Sequence, residues 1–279
     1  MEALATLNRM TNSSVAFIGG GNMASAFIGG LLRAGRAAQD IVVVEPVEAQ
    51  RERLAAQFGV QAQAAADERL AAAGMVVWAV KPQLFAEAAA PCAPHIGTAL
   101  QVSVMAGVRS ADVVRASGSA RVVRTMPNTP ALIGQGIAGL YARPEVGVTD
   151  RAEVEALFAP TGQVIWVPVE DDLDAVTALA GSGPAYVFFF IEAMVQAATE
   201  MGLSAEHGRQ LAQATFAGAA ALAQQSPLSP TALREQVTSK GGTTHAAITA
   251  LQDQGVGPAF VKALHAARAR AQELGRTSG

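Results

Sequence analysis

The sequence predicts two halves of different class: an α/β domain built on a parallel sheet over residues 14–169, and an all-α domain over residues 170–279. Three observations predict it. Val15-Ala16-Phe17-Ile18 is a short apolar run that stops at Gly19-Gly20-Gly21 and passes at once into a helix-compatible run. Further continuous apolar runs follow, up to Val164-Ile165-Trp166-Val167-Pro168, with segments of helical spacing between them. After about Val169 the strand signals stop. Unbroken apolar strands separated by helices belong to a parallel sheet covered on both faces.

The opening strand, turn and helix have the order of a dinucleotide-binding fingerprint, with Gly19, Gly21 and Ala24 in its three small-residue positions. Gly19 lets the chain turn tightly out of the strand. Gly21 has no Cβ, so a pyrophosphate can approach the backbone. Ala24 lets the following helix lie close to the sheet. The helix start offers unpaired N–H groups and a positive dipole end. Ile18, Gly19, Gly20, Gly21, Asn22, Met23 and Ala24 are therefore the first candidate cofactor contacts. A glycine turn can also be a plain packing device, so its context matters. Phe27 to Leu32 keeps helical spacing, and Ile41-Val42-Val43-Val44 reads as a second strand ending at Glu45. That is about 20 residues past the glycines, where the fingerprint expects an acid for the ribose hydroxyls. The succession predicts a Rossmann-type domain.

A helix from about Val47 to Phe58 carries Arg51 and Arg53. Met75 to Val80 is a strand ending in Lys81-Pro82, Ala99 to Val104 one ending at Met105-Ala106-Gly107, and Ala120 to Met126 one ending at Pro127-Asn128-Thr129-Pro130. Open α/β sheets bind ligands at the carboxyl ends of their strands. Glu45, Ala79, Val80, Lys81, Pro82, Met105 and Ala106 thus join the candidate cofactor contacts. Asn128 either holds a turn or faces the same pocket.

In the second half, Ser182 is a candidate N-cap and Pro184 suits a first helical turn. The helix that follows, to about Met201, is apolar on nearly every face through Tyr186, Val187, Phe188, Phe189, Phe190 and Ile191. Such a helix must be buried. The remaining helices, about 205–224, 230–237, 244–254 and 258–274, are few and alanine-rich, so burial against a second copy is expected, and with it a homodimer. Glu192 interrupts the apolar run, which is read as too short to span a bilayer.

Composition narrows the classes further. A formal net charge of −3 with no basic block argues against nucleic acid as partner. The single cysteine, Cys92, excludes an intrachain disulfide and a cysteine-rich metal site, and the four histidines have no metal-ligand spacing. Met1 to Asn12 holds no long apolar run and is read as a loose tail (1–13) rather than a secretory signal, so the expected setting is cytoplasmic.

Three segments of the helical half are more specific: Asp174 to Tyr186 with Gly181-Ser182-Gly183-Pro184-Ala185-Tyr186, then Ser239-Lys240-Gly241-Gly242-Thr243-Thr244, then Ala246-Ala247-Ile248. Together with Phe17 to Met23, Ala79-Val80-Lys81-Pro82 and Met126-Pro127-Asn128-Thr129-Pro130, they closely resemble pyrroline-5-carboxylate reductase, in order from about residue 14 to 270. The resemblance implies reduction of the C=N bond of 1-pyrroline-5-carboxylate to L-proline by NADPH or NADH, the last step of proline biosynthesis. It also implies a helical dimerisation domain, with dimers sometimes assembled into larger rings. The substrate would lie on the loop and helix start matching Ser239 to Thr244. Thr244 matches the family's substrate-contacting threonine and is assigned to orientation of the ring nitrogen and proton relay.

The residues suit that chemistry. Gly241-Gly242-Thr243-Thr244 precedes a helix, so its N–H groups can form an anion nest for a carboxylate without an arginine clamp. Ser239, Gly241, Gly242, Thr243 and Thr244 are the candidate substrate contacts; a simple helix cap is the plainer alternative. Lys240 stands where the family commonly has proline. An acid at Glu45 favours NADH by the general rule, whereas the family often uses NADPH. Arg51 or Arg53 could offset the acid only if a helix turn brings one back, so the preference stays open. A hydroxy-acid dehydrogenase using Lys240 or Lys262, and a non-catalytic dinucleotide sensor, are the competing classes.

Overall fold

The computed structural model describes residues 14–277, and the expected N-terminal tail, 1–13, lies outside them. The described chain forms two compact units: residues 14–181 with 267–277, and Ser182–Ala266. The first unit therefore runs past the 169/170 junction suggested by the strand pattern.

Eight strands of the first unit make one sheet in the order β3-β2-β1-β4-β5-β6-β7-β8. They are β1 (Ser14–Ile18), β2 (Ile41–Val44), β3 (Ala62–Gln63), β4 (Ala73–Trp78), β5 (Leu100–Ser103), β6 (Val122–Met126), β7 (Gly136–Ala142) and β8 (Gly162–Trp166). Helices α1 (Asn22–Arg33), α2 (Glu48–Phe58), α3 (Phe85–Cys92), α4 (Ser110–Ser117) and α5 (Val148–Phe158) connect them. Successive β1 side chains alternate between two cores. Val15 and Phe17 join Phe27, Leu54 and Phe158 in one; Ala16 and Ile18 join Leu70, Trp78 and Phe85 in the other. Apolar side chains on both faces explain why the strands read as unbroken apolar runs.

The expected parallel sheet is found, with one antiparallel pair in it. β7 runs antiparallel to β6 and was not foreseen. Its sequence, Gly-Ile-Ala-Gly-Leu-Tyr-Ala, is too rich in small residues to read as a strand. The reason is close packing. A Cβ on Gly139 would lie 2.8 Å from the Val176 side chain, and one on Gly136 would lie 2.9 Å from Ala131 and Thr161 backbone atoms.

Polar groups inside the sheet are paired where the chain allows it. Trp78 Nε1 donates to Gln101 Oε1 (2.9 Å), and Gln101 Nε2 donates to the Ala99 carbonyl (2.8 Å). Cys92 ends α3 fully buried, as expected of a small apolar residue, and burial pushes its thiol up to about 11.

After the sheet come α6 (Asp172–Val176), a π-helical turn over Thr177–Gly181, α7 (Gly183–Glu200), α8 (Ala205–Gln225), α9 (Pro230–Gln236), α10 (Thr243–Asp253) and α11 (Val256–Thr277). Within the second unit, α7 and α8 pack closely enough that a Cβ on Gly208 would sit 2.7 Å from Ala198 Cβ. Tyr186 and Phe190 meet Phe260 edge-on, at ring centroid distances of 5.7 and 5.8 Å. Other apolar residues of α7 stay exposed among the described residues: Phe188 is 58% exposed and Phe189 65%.

Two expectations for this region are corrected. Ser182 makes no side-chain cap; its backbone is already helical (φ −84°, ψ −17°), which turns the hydroxyl away from the capping position. Nor is the apolar helix too short to cross a bilayer: the helical stretch Asp172–Glu200 has 29 residues, and its length and composition suffice. Glu192 is too isolated a charge to break it.

Phe27 is fully buried and meets Phe158 edge-on at 4.8 Å. Phe27→Ala is expected to cost about 3–5 kcal/mol of unfolding free energy in a denaturant titration.

Candidate functional site

The parallel register levels the strand ends. Ile18 stands opposite Val44 on one side and Trp78 on the other, and Trp78 stands opposite Ser103. The strand order reverses between β1 and β4, which makes this edge the topological switch point where open sheets bind ligands. Ladder bonds continue one residue past the strands: Gly19 N–H to the Val44 carbonyl (2.8 Å), Ala79 N–H to Ile18 (2.8 Å) and Val104 N–H to Trp78 (3.1 Å).

The glycine turn leaves the sheet here. Gly19 has φ +95°, and a Cβ on it would lie 2.7 Å from the Ala79 carbonyl oxygen, so only glycine fits. Gly21 is different: its φ of −68° suits any residue, and a Cβ would meet nothing within 4 Å. Its openness is toward solvent, at the N-terminus of α1, which has no side-chain cap. Open space beside uncapped helical N–H groups fits a pyrophosphate.

Glu45 braces this turn from below. Its Oε2 accepts from Gly20 N–H (2.8 Å) and its Oε1 from Val47 N–H (2.9 Å), and the residue is only 8% exposed. Gln50 Nε2 donates to the Gly20 carbonyl, and a Cβ on Gly20 would strike Leu54 Cδ1 at 2.7 Å. Arg51 Nη1 folds back over the end of β2, donating to the carbonyls of Glu45 (3.0 Å) and Pro46 (2.7 Å). Arg53 Nη2 reaches toward Asn22 Oδ1 at 3.5 Å.

The other expected contacts lie along the same edge. Ile18 and Ala24 are buried, Asn22 is exposed and Met23 half-buried. Ala79, Val80 and Pro82 are half-buried; Lys81 and Ala106 are exposed. Met105 is directed otherwise: its side chain belongs to the core that contains Trp78, which leaves its backbone for a ligand.

At the end of β6, Asn128 holds a turn with both ends of its amide. Oδ1 accepts from Ile137 N–H (3.0 Å), and Nδ2 donates to the Ala180 carbonyl in the π-helical turn (3.2 Å). Beside it lies an ion pair that sequence reasoning missed. Arg124, 3% exposed, donates from Nη1 to Glu170 Oε1 (3.1 Å). Glu170 also accepts from Ser110 N–H (2.8 Å) and Ser110 Oγ (2.7 Å), at the start of α4. Burial pulls the Arg124 guanidinium below its ordinary value, with Glu170 opposing the shift. The available signal was an arginine inside the otherwise apolar run Val122-Val123-Arg124.

In the second unit, the loop Ser239–Thr244 enters α10. Gly241 has φ +78° and needs glycine. A Cβ on Gly242 would lie 2.7 Å from Ser239 Oγ, and Gly242 N–H donates to the Ser239 carbonyl (3.0 Å). The α10 N-terminus has no side-chain cap, with Thr243 exposed and Thr244 half-buried in its first turn. The plainer helix-cap alternative for Thr243 and Thr244 therefore loses its basis.

The glycine turn at a switch point places the chain in the class of Rossmann-type dinucleotide-binding proteins with a helical C-terminal region. Comparison with known proteins agrees. Residues 14–107 match the family model for NADP oxidoreductase, coenzyme F420-dependent, and residues 170–274 match that for pyrroline-5-carboxylate reductase dimerisation. Pyrroline-5-carboxylate reductase of Pseudomonas aeruginosa is 40% identical, covering 97% of this chain and 100% of that protein. A Coxiella burnetii pyrroline-5-carboxylate reductase structure matches with TM-score 0.88 and 35% identity, covering 94% of this chain and 98% of that one. The Plasmodium falciparum pyrroline carboxylate reductase, solved with NADP bound, matches with TM-score 0.84 and 26% identity over 95% of this chain and 99% of that one. The chain belongs to the pyrroline-5-carboxylate reductase family.

Because a Cβ at Gly21 meets only open space, Gly21→Val is expected to leave thermal unfolding nearly unchanged. It should weaken dinucleotide binding by roughly tenfold or more, about 1.4 kcal/mol, measured by titration calorimetry.

Proposed function

We propose that this chain reduces 1-pyrroline-5-carboxylate to L-proline, the last step of proline biosynthesis. The observation that carries the reading is the 40% identity to a pyrroline-5-carboxylate reductase over nearly all of both chains. When bound, NAD(P)H supplies the hydride that adds to the carbon of the C=N bond.

The residues divide the remaining work. The turn Gly19–Ala24, with Ala79–Pro82 and the Met105–Ala106 backbone, holds the dinucleotide. The loop Ser239–Thr244 holds the substrate. Its backbone N–H groups and the helix dipole take the carboxylate, a role that a glycine pair in an open loop serves without a cationic side chain. The Thr244 hydroxyl orients the ring nitrogen and relays a proton. A cyclic imine can enter already protonated, so this hydroxyl need not be a strong acid. The main contribution is orientation of the two reactants.

The apolar surface of α7 is the contact between two copies, which accounts for Phe188 and Phe189 without a membrane. The same reading places the protein in the cytoplasm, where nicotinamide dinucleotides and biosynthetic intermediates are held.

Purified protein should oxidise NADPH or NADH with pyrroline-5-carboxylate and leave a hydroxy-acid panel untouched; turnover of a hydroxy acid alone would overturn the reading. Thr244→Ala should lower kcat by about 10²-fold with an unaltered circular dichroism spectrum. Sedimentation should show a dimer that yields no folded monomer on dilution.

A further inference from the structure

We propose that Arg51 recognises the 2′-phosphate of the dinucleotide and makes NADPH the preferred reductant, while Glu45 serves as a brace for the glycine turn. The proposal rests on the reading of the glycine edge as the dinucleotide site, and it settles a preference that residue types alone leave open.

An acid at the end of the second strand favours NADH when its two oxygens face the ribose hydroxyls. Here they face inward. Each oxygen of Glu45 accepts a backbone N–H, one from Gly20 and one from Val47, and 92% of the residue's surface is covered, its exposure being 8%. These two bonds stabilise the carboxylate where it is, because charge-assisted bonds to backbone N–H groups are stronger than neutral ones. Swinging the side chain outward would break both and leave the Gly20 N–H buried without its acceptor. The negative charge is thus held beneath the turn.

The outer side of the same strand end carries positive charge. Arg51 lies in the first turns of α2, and its Nη1 donates to the carbonyls of Glu45 and Pro46, the two residues that follow β2. Both bonds use Nη1, and Nε and Nη2 have no hydrogen-bond acceptor among the described residues. A guanidinium pinned at one corner, with its other edge open, is pre-organised for a phosphate, to which arginine donates two parallel bonds. Arg53, one residue beyond Glu52, extends toward Asn22 at the start of α1. It adds positive charge on the pyrophosphate side. Glu48 and Glu52 also project from α2 near this edge. Neither pairs with Arg51 within hydrogen-bond distance, so the arginine keeps its charge available for a ligand.

The position next to β2 is where a 2′-phosphate falls in a dinucleotide whose pyrophosphate occupies the glycine turn, and a nearby arginine accommodates it. Arg51 follows Glu45 by six positions, so the first helical turns of α2 bring the cation back to the strand end.

The test uses the purified full-length protein and two probes, adenosine 2′,5′-bisphosphate and adenosine 5′-monophosphate, with affinities from titration calorimetry. Wild type is expected to bind the bisphosphate at least tenfold more tightly. Arg51→Ala should remove most of that difference, and Arg51→Lys should restore part of it. Equal binding of the two nucleotides by wild type, or an undiminished difference in Arg51→Ala, overturns the proposal. Turnover gives a second readout: the NADPH to NADH ratio of kcat/KM should exceed ten in wild type and fall at least tenfold in Arg51→Ala. A ratio below one in wild type overturns it as well. Failure of pyrroline-5-carboxylate to turn over with either cofactor would strike the reductase reading instead, while the nucleotide affinities would still decide the role of Arg51.

Discussion

The constraint on which the rest depends is the position of β1 inside the sheet between β2 and β4, with Ile18 in register with both Val44 and Trp78. Two parallel neighbours ending level with β1 leave the chain one way out: a turn at positive φ, tight against the Ala79 carbonyl. Gly19 meets that demand, and everything downstream is placed by it. The α1 N-terminus opens beside the turn, the Glu45 carboxylate lies beneath it, and Arg51 closes over the neighbouring strand end. The turn is as fixed as the ladder that ends there, since a one-residue slip would exchange the side chains of β1 between its two cores.

Charge at this edge is arranged by depth. The carboxylate is buried and satisfied by backbone donors, and the guanidinium groups lie nearer the surface. At the end of β6 the depths are reversed: Arg124 is buried, and the half-buried Glu170 satisfies the start of α4 and at once neutralises the arginine. A buried ion pair of this kind contributes little net stability, since desolvation offsets most of its attraction. It does fix geometry: removing either partner strands the other, so β6, α4 and the segment before α6 are held in one arrangement. Asn128 adds a third tie, from the same strand end to the π-helical turn ahead of α7.

The helical unit follows a different logic. Its aromatic residues are too many for its own small interior. Tyr186 and Phe190 meet Phe260, and Phe188 and Phe189 stay mostly exposed among the described residues. The surface lies within the region that matches the family's dimerisation model, and an apolar face of that kind also gives a helix the length and composition of a membrane span.

By itself the sequence determined whatever depends on local pattern: the alternation of apolar strands and helices, the glycine turn, the strand ends that carry Glu45, Ala79–Pro82 and Met105–Ala106, and the Gly241–Thr244 loop. These are legible because period and backbone freedom belong to neighbouring residues. Only the tertiary structure decided which way each polar side chain points and what it meets. β7 was hidden because close packing against Val176 and Ala131 demands glycines that read locally as loop. Ser182 looked like a cap until its backbone proved helical. Arg124 found its partner Glu170 across 46 positions of chain. Glu45 was marked by its place in the fingerprint, and only the fold shows that the Gly20 and Val47 N–H groups donate to its oxygens. A residue type specifies which bonds a side chain is able to make. Packing, by deciding which donors and acceptors are excluded from water, selects the bonds it keeps.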